Sequence, residues 1–137
     1  MVLTVTAVAG LLCGLALLAT SIDVVVQRER SHTLFGDAGN DRLRRAIRAN
    51  ANLAEHAPVP IILIGLLEMA RVNVAGLGAI ALLFLIGRAA NIIGLYQTRN
   101  DGKPPLTRVV GIFATWAAML AMCLWLAWVT VCTTASV

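Results

Sequence analysis

A run of polar side chains interrupts an otherwise apolar part of the 137-residue chain. Residues 45–58 read RAIRANANLAEHAP, and at about 100° of rotation per residue in an α-helix the arginines and Glu55 share one face. Guanidinium, amide and carboxylate groups on one face are donors and acceptors that suit a zwitterionic or anionic ligand. The spacing therefore predicts a binding face, with Asn50 on the opposite side of the helix. Its members are Arg45, Arg48, Asn52, Glu55 and His56.

Two later apolar segments carry polar residues that can extend this face. Arg88 and Asn91 are three residues apart in one segment, and Arg108 opens the next. Because ionisable side chains are costly inside a bilayer, they usually face a bundle interior or a hydrated cavity. We therefore predict that these three side chains join the first group around one anion site that faces the cytoplasm. An alternative is that Arg48 and Glu55 only pair with neighbouring side chains and hold the helices together.

The composition of the chain is typical of a membrane protein. Hydrophobic residues make up 59% of it and charged residues 13%, and the mean hydropathy is +0.84. A helix that crosses a hydrocarbon core of about 30 Å needs about 20 mostly apolar residues. The hydropathy pattern predicts an all-α integral membrane four-helix bundle in a single domain over residues 1–137. The spans are expected at about residues 2–26, 42–69, 74–98 and 106–131.

Turn-forming and helix-breaking residues separate the predicted spans. The longest loop is expected from Gln27 to Arg44, and it contains the glycines and Asx residues of the stretch FGDAGND. Asp41 is expected to cap the second helix, and Pro58 to loosen that helix near its middle. Residues 99–105, RNDGKPP, separate the third and fourth spans.

The positive charges are distributed unevenly among the connections. The second connection carries only Arg71, whereas the first and third together carry Arg28, Arg30, Arg42, Arg44, Arg45, Arg99, Lys103 and Arg108. Lys and Arg in short loops stay on the cytoplasmic side, so both termini are predicted to be non-cytoplasmic. The net charge of +4 then belongs to a rim that suits anionic membrane lipids, and no nucleic-acid partner is predicted. The three cysteines lack metal-ligand spacing, so no metal is predicted either.

The second-helix pattern resembles a known signature. Arg45-x-x-Arg48-x-x-x-Asn52-x-x-Glu55-x-x-Pro58 is similar to that of the MAPEG family, the membrane-associated proteins in eicosanoid and glutathione metabolism. The resemblance covers most of the chain, and the four-span layout agrees with it. Further support comes from Gly87-Arg88, Gly94-Leu95, Arg108-Val109-Val110-Gly111 and a first loop, Leu34-Phe35-Gly36-Asp37, like that of bacterial members.

The resemblance implies a homotrimer that binds glutathione, as co-substrate, between neighbouring subunits near the cytoplasmic membrane surface. Arg48, Asn52 and Glu55 match positions that hold the peptide, and Arg45 and Arg88 match binding positions as well. Asn91 is expected to hydrogen-bond the ligand. As catalytic residues the resemblance implies Arg108, at the place of the thiol-activating arginine, and Arg28, a looser match. A fixed guanidinium beside sulfur favours the nucleophilic thiolate.

The implied activity is a membrane-bound glutathione transferase. The thiolate would join a lipophilic electrophile, and reduction of a lipid hydroperoxide is a further activity of the same kind. The expected location is a bacterial inner membrane. Two alternatives stay open: a noncatalytic relative that binds lipid, and a small proton-coupled transporter that uses Glu55.

The third helix departs from the pattern of the family. Many members have a histidine or tyrosine where this chain has Asn91, and tyrosines where it has Ile93 or Leu95. Tyr96 is shifted by one residue from a family position, and a shift of about 100° changes the side of the helix that it faces. We therefore expect Tyr96 to be an interfacial anchor and not a catalytic residue.

Overall fold

The computed structural model describes residues 3–97 and 103–134. Within these ranges the chain forms helices and no strand, which agrees with the predicted all-α class. The helices are α1 (Thr4–Ser31), α2 (Asp41–His56), α3 (Pro58–Met69), α4 (Val74–Tyr96) and α5 (Leu106–Thr134). The predicted first-span start at residue 2, the predicted third-span end at residue 98, and residues 99–102 of the third connection lie outside the described residues.

Three helices, α1, α4 and α5, are each long and apolar enough to cross a membrane. With 28 residues, α1 is about 42 Å long, so it is longer than a hydrocarbon core of about 30 Å. Its last turns can therefore stay helical in the polar region outside the core. This explains why α1 continues past residue 26, where the first span was predicted to end, whereas α2 begins at Asp41, close to the predicted start of the second span. The helix runs to Ser31, and only residues 32–40 connect it to α2.

The second predicted span is divided into α2 and α3 at Pro58. Proline has no N–H group to continue the ladder, and Pro58 and Pro60 both fall in the first turn of α3. Ala57 between the two segments keeps right-handed helical dihedrals, φ −84° and ψ −39°, and its N–H donates to Leu53 O at 3.0 Å. The chain therefore keeps a helical path from α2 into α3, although the helix is loosened at Pro58. One face of α2 is buried, through Leu43, Ala46, Ala49 and Leu53.

The connection between α1 and α2 is held by side-chain to backbone hydrogen bonds. Gly36 and Gly39 have φ of 67° and 74°, as the turn-forming stretch predicted. Arg28 Nη1 donates to Leu34 O at 2.8 Å, and to two further carbonyl groups of the loop. The cap of α2 is Asn40, whose Oδ1 accepts from two backbone N–H groups. The predicted cap, Asp41, is instead the first helical residue.

Glycines bring α4 and α5 into backbone contact. A Cβ atom placed on Gly111 would lie 2.5 Å from the backbone nitrogen of Asn91 and 2.7 Å from Gly87 O. A Cβ atom on Gly94 would lie 2.5 Å from the backbone nitrogen of Arg108. No larger residue fits at these positions without moving a helix, because real Cβ atoms do not approach backbone so closely. Phe84 on α4 and Met122 on α5 pack in the apolar core.

The start of α1 is capped by the side chain of Glu68, near the end of α3. Glu68 Oε1 accepts from the N–H of Val5, and Oε2 accepts from the N–H and the hydroxyl of Thr6, at 2.9, 2.9 and 2.7 Å. The first N–H groups of a helix have no partner within the helix, and hydrocarbon offers none. The carboxylate, which is 8% exposed, therefore joins the end of α3 to the start of α1.

Removal of this cap is expected to destabilise the protein. Glu68→Ala should lower the free energy of unfolding by about 1.5–3 kcal/mol, the range for hydrogen bonds to a charged group. Far-UV circular dichroism during SDS titration of the detergent-solubilised protein measures the change. Glu29→Ala is the matched control, because Glu29 is an exposed α1 glutamate whose side chain has no hydrogen-bond partner among the described residues. Equal midpoints for the two variants would show that the cap contributes nothing.

Candidate functional site

A basic cavity lies where α2 meets the end of α4 and the start of α5. Its volume is about 260 Å³, and no carboxylate of the described residues lines it. The structure thus brings Arg45 and Arg48 of the predicted face together with Arg108, although these residues are up to 63 positions apart. The lining residues are Arg44, Arg45, Arg48, Gly94, Leu95, Gln97, Pro105 and Arg108.

The arginines of this cavity differ in their electrostatic surroundings. Arg44 forms ion pairs with Asp37 and Asp41. Within the parts of the chain that the structure describes, Arg45, Arg48 and Arg108 form no ion pair. Three guanidinium groups that meet in a concave site without an ion-pair partner among the described residues favour a positive potential there, which attracts anions. Guanidinium groups also present paired donors that match carboxylates. The cavity is therefore suited to a ligand with acidic groups.

A larger cavity of about 700 Å³ adjoins the basic one. The two share Arg45, Gln97, Pro105 and Arg108, and the larger one continues along α5 to Phe113 and Trp116. The rings of these two aromatic residues are in edge-to-face contact, with centroids 5.8 Å apart, and both are largely exposed. The combined space therefore changes from cationic to apolar along α5, so it can hold a polar and an apolar molecule side by side.

Asn50 fixes the direction of the polar face of α2. Its Nδ2 donates to Thr20 Oγ1 at 3.1 Å and to Ser21 Oγ at 2.7 Å, both on α1. This confirms the prediction that Asn50 lies opposite the polar face. Since α1 occupies the Asn50 side, Arg45 and Arg48 are directed away from α1 and towards the ends of α4 and α5.

A second polar cluster joins the ends of α1, α2 and α4 beside the basic cavity. Asp23 accepts from the Tyr96 hydroxyl at 2.7 Å, from Arg42 Nη2 at 3.1 Å and from Gln27 Nε2 at 3.1 Å. The Arg42 guanidinium carbon lies 4.7 Å from the centre of the Tyr96 ring. Gln97, which follows Tyr96, lines the cavity. No role was predicted for Asp23 from the sequence, although it is a lone carboxylate near the end of an apolar span.

The C-terminal part of the predicted α2 face, from Asn52 onwards, lies outside the basic cavity. Asn52 Oδ1 accepts from Arg88 Nη1 at 3.0 Å, and Asn52 O lies 3.0 Å from His56 Nδ1. Glu55 is exposed, and its side chain has no hydrogen-bond or ion-pair partner among the described residues. One turn of helix separates Glu55 from Asn52 and another separates Asn52 from Arg48, so the face is continuous with the cavity although it does not line it.

Arg88 and Asn91 do not line the basic cavity, but Arg88 contacts Asn52 of the predicted α2 face. Arg88 is 4% exposed and donates from Nε to Thr115 Oγ1 at 3.1 Å. Asn91 is 1% exposed, and its Oδ1 is buried without a hydrogen bond. The physical reason is the close contact of α4 and α5 at Gly87 and Gly111, which encloses this face of α4 inside the bundle.

Arg28 is also apart from the basic cavity. Its guanidinium group holds the α1–α2 loop, and it lines a separate groove on the outer side of α1 with Val25, His32 and Leu34. Within one chain, the structure gives Arg28 a role in loop geometry, while its predicted catalytic role stays a prediction.

Apolar helices with a cationic cavity at one end of the bundle define a multi-pass integral membrane protein that is suited to bind an anion. The model of the MAPEG family matches residues 6–128, so the chain belongs to this family. Membership suggests a function in membrane glutathione transfer or eicosanoid metabolism. Neither a comparison with curated proteins nor one with solved structures finds a match.

The glycine contact should be necessary for the position of Arg108. Gly94→Ala places a methyl group against the backbone of Arg108 and should destabilise the protein by about 1–3 kcal/mol, the usual cost of overpacking. Gly78→Ala is the control on the same helix, because its Cβ would meet nothing within 4 Å. It should be neutral or stabilising by up to about 1 kcal/mol. Denaturation midpoints in detergent compare the two, and equal midpoints would contradict the tight contact.

Proposed function

We propose that this protein is a membrane-bound glutathione transferase. The single observation that carries the proposal is the cavity in which Arg45, Arg48 and Arg108 meet without an ion-pair partner among the described residues. Two of these arginines belong to the second-helix signature of the family, and the third occupies the place of the thiol-activating arginine. Their convergence from α2 and α5 supports one ligand that touches both helices.

Glutathione has the charges that the α2 face requires. It carries two carboxylates and one ammonium group, so its net charge is negative at neutral pH. We assign its carboxylates to Arg45 and Arg48, and its nitrogen groups to Asn52 and Glu55 further along the same face. Arg88 positions a residue of this site, because its hydrogen bond to Asn52 Oδ1 fixes the Asn52 side chain.

The exposed part of the α2 face supports assembly of the protein as a homotrimer. Arg48 and Glu55 are both exposed in the single chain. Charged groups at membrane depth usually face protein or a hydrated cavity and not lipid. A neighbouring subunit that covers this face would enclose glutathione between two chains, as the family resemblance implies.

In the chemical step, Arg108 would stabilise the glutathione sulfur as a thiolate. The sulfur attacks an electrophilic carbon of the second substrate, a carbon–sulfur bond forms, and the leaving group departs with the bonding electron pair. The cavity along Phe113 and Trp116 would admit this lipophilic substrate from the bilayer side. Positioning of the two reactants and local positive charge are the two contributions that the site provides.

The charge distribution supports a cytoplasmic position for this site. Arg44, Arg45, Arg48 and Arg108 all lie at the end of the bundle where α1 ends and α2 begins. Because basic residues stay on the cytoplasmic side, we place both termini on the opposite side, and we place the protein in a bacterial inner membrane.

Glutathione should stabilise the protein through Arg48. At about 100 times its dissociation constant, the ligand should raise the free energy of unfolding by about 2.7 kcal/mol. Thermal unfolding of the purified protein in detergent measures the shift, which Arg48→Ala and Glu55→Gln should lose. Arg30→Ala is the control, since Arg30 is an exposed arginine that lines no cavity described here. A shift that survives in Arg48→Ala would place glutathione elsewhere, and no shift in the unmodified protein at millimolar glutathione would refute its binding.

Arg108 should be needed for catalysis more than for binding. Arg108→Ala should lower kcat for conjugation of 1-chloro-2,4-dinitrobenzene by about 10²–10³, the effect of removing one group that stabilises developing charge. The glutathione-induced thermal shift should largely persist, and Arg108→Lys should restore part of the rate because it keeps the charge. Small and equal losses of rate and binding would contradict the catalytic role.

A further inference from the structure

The uncharged side chain of Gln97 differs from the other side chains of the basic cavity and of the larger cavity along α5. Among the residues that the structure describes, it is the only uncharged polar side chain that lines either cavity, and the others are cationic or apolar. Guanidinium and ammonium groups favour anionic acceptors, whereas a primary amide donates to a neutral acceptor without adding a charge. Gln97 can therefore recognise a part of a ligand for which the arginines do not select.

Hydrogen bonds on both sides hold Gln97 at the end of α4. Its backbone N–H donates to Ile93 O at 3.2 Å, which makes it the C-cap of the helix. The hydroxyl of the preceding residue, Tyr96, donates to Asp23 Oδ2 on α1 at 2.7 Å. On the other side, Thr107 Oγ1 on α5 donates to Gln97 Oε1 at 2.8 Å. The position of the side chain is therefore set by contacts with two other helices, although the side chain itself is exposed.

The bond from Thr107 decides which end of the Gln97 amide faces a ligand. Because the Thr107 hydroxyl occupies the amide oxygen, the amide nitrogen is the end that is left. Nε2 donates to none of the described residues. A primary amide nitrogen has two N–H donors, and a donor that is removed from water without gaining an acceptor costs free energy. Gln97 is thus arranged to donate a hydrogen bond to a ligand and not to accept one.

Gln97 lies where the two cavities meet. Both are lined by Arg45, Gln97, Pro105 and Arg108. If the glutathione sulfur lies near Arg108 and the second substrate lies along Phe113, this boundary is where the two reactants touch. The cysteine residue of glutathione stands between two peptide bonds, so a neutral carbonyl oxygen is only a few bonds from the sulfur. That carbonyl should therefore reach the same boundary as the sulfur.

We propose that Gln97 is a further binding residue for glutathione, and that its Nε2 donates a hydrogen bond to a peptide carbonyl of the tripeptide. This inference rests on the proposed function and adds recognition of the peptide part of the ligand. The arginines alone would accept any small thiol with acidic groups. Gln97 adds a selection for a thiol that also carries a peptide bond, so the substrate class is a peptide thiol.

Steady-state kinetics of conjugation to 1-chloro-2,4-dinitrobenzene test this role. Gln97→Met keeps the length of the side chain and removes the donor, so KM for glutathione should rise about fivefold to tenfold, the effect of one lost hydrogen bond. The carbonyl gains no charge as the carbon–sulfur bond forms. The hydrogen bond is therefore equally strong in the ground state and the transition state, and kcat should stay within about twofold. An unchanged KM, or a loss of kcat as large as the rise in KM, would overturn the proposal.

A second variant tests whether Thr107 fixes the direction of the amide. Thr107→Val leaves Gln97 in place and removes the bond to its oxygen, so KM for glutathione should rise about twofold to threefold through lost preorganisation. Thr130→Val is the matched control, because Thr130 is an exposed α5 threonine whose hydroxyl donates to Leu126 O within the same helix. Equal KM values for the two variants would contradict the fixed amide.

A thiol without a peptide bond tests the carbonyl itself. Mercaptosuccinate has two carboxylates and a thiol, and it can be measured as a competitive inhibitor against glutathione. Its inhibition constant should be the same in Gln97→Met and in the unmodified protein, since it has no peptide carbonyl to lose. A rise equal to the rise in KM for glutathione would show that the variant disturbs the whole cavity, and it would overturn the assignment.

The thermal shift with glutathione separates this inference from the proposed function. If glutathione stabilises the unmodified protein and Arg48→Ala loses that effect, an unchanged KM in Gln97→Met refutes the role of Gln97 and leaves the proposed function standing. If glutathione gives no shift in the unmodified protein, the proposed function and the role of Gln97 are both refuted.

Discussion

The backbone contact between α4 and α5 determines where the polar groups of this bundle lie. Gly87, Gly94 and Gly111 allow the backbones of the two helices to approach so closely that no Cβ atom fits between them at these positions. As a result Arg88 reaches Thr115 inside the bundle, and the backbone of Arg108 is pressed against Gly94 at its end. In a bilayer, where association of apolar helices has no hydrophobic driving force, close packing of small residues is a main source of stability. The same contact thus holds the bundle together and positions Arg88 and Arg108.

The arginines then divide into two groups by depth. Arg45, Arg48 and Arg108 lie at the polar end, where water can enter and a soluble anion can arrive. Arg88 lies deeper in the bundle and is buried. Neither group has an ion-pair partner among the described residues, but only the arginines at the polar end line the basic cavity. The two groups therefore differ in depth and exposure and not in the type of side chain.

Helical periodicity predicted part of this arrangement from the sequence. The polar face of α2 and the opposite position of Asn50 follow from residue spacing alone, and so do the turns at Gly36 and Gly39. The sequence also carried the family signature, which the match over residues 6–128 confirms. These features are local, or they repeat a pattern, and local spacing is what a sequence displays directly.

Contacts between distant residues could not be obtained in this way. Glu68 and Val5 are 63 residues apart, and Tyr96 and Asp23 are 73 apart, so no spacing rule connects them. Periodicity places Arg88 on a face of α4 but does not say that α5 covers that face, so its burial and its hydrogen bond to Thr115 could not be predicted. The cap of α2 was misplaced by one residue because Asn40 and Asp41 are both good capping residues.

The bond between Glu68 and the start of α1 also has a consequence for biosynthesis. A growing chain leaves the ribosome from its N-terminus, so α1 is made long before residue 68. Until then its first amide groups lack their final acceptor, and α1 can be held in place only by other contacts. Its docking is completed when the end of α3 emerges. The contact between the start of α1 and the end of α3 can therefore form only after residue 68 has been made.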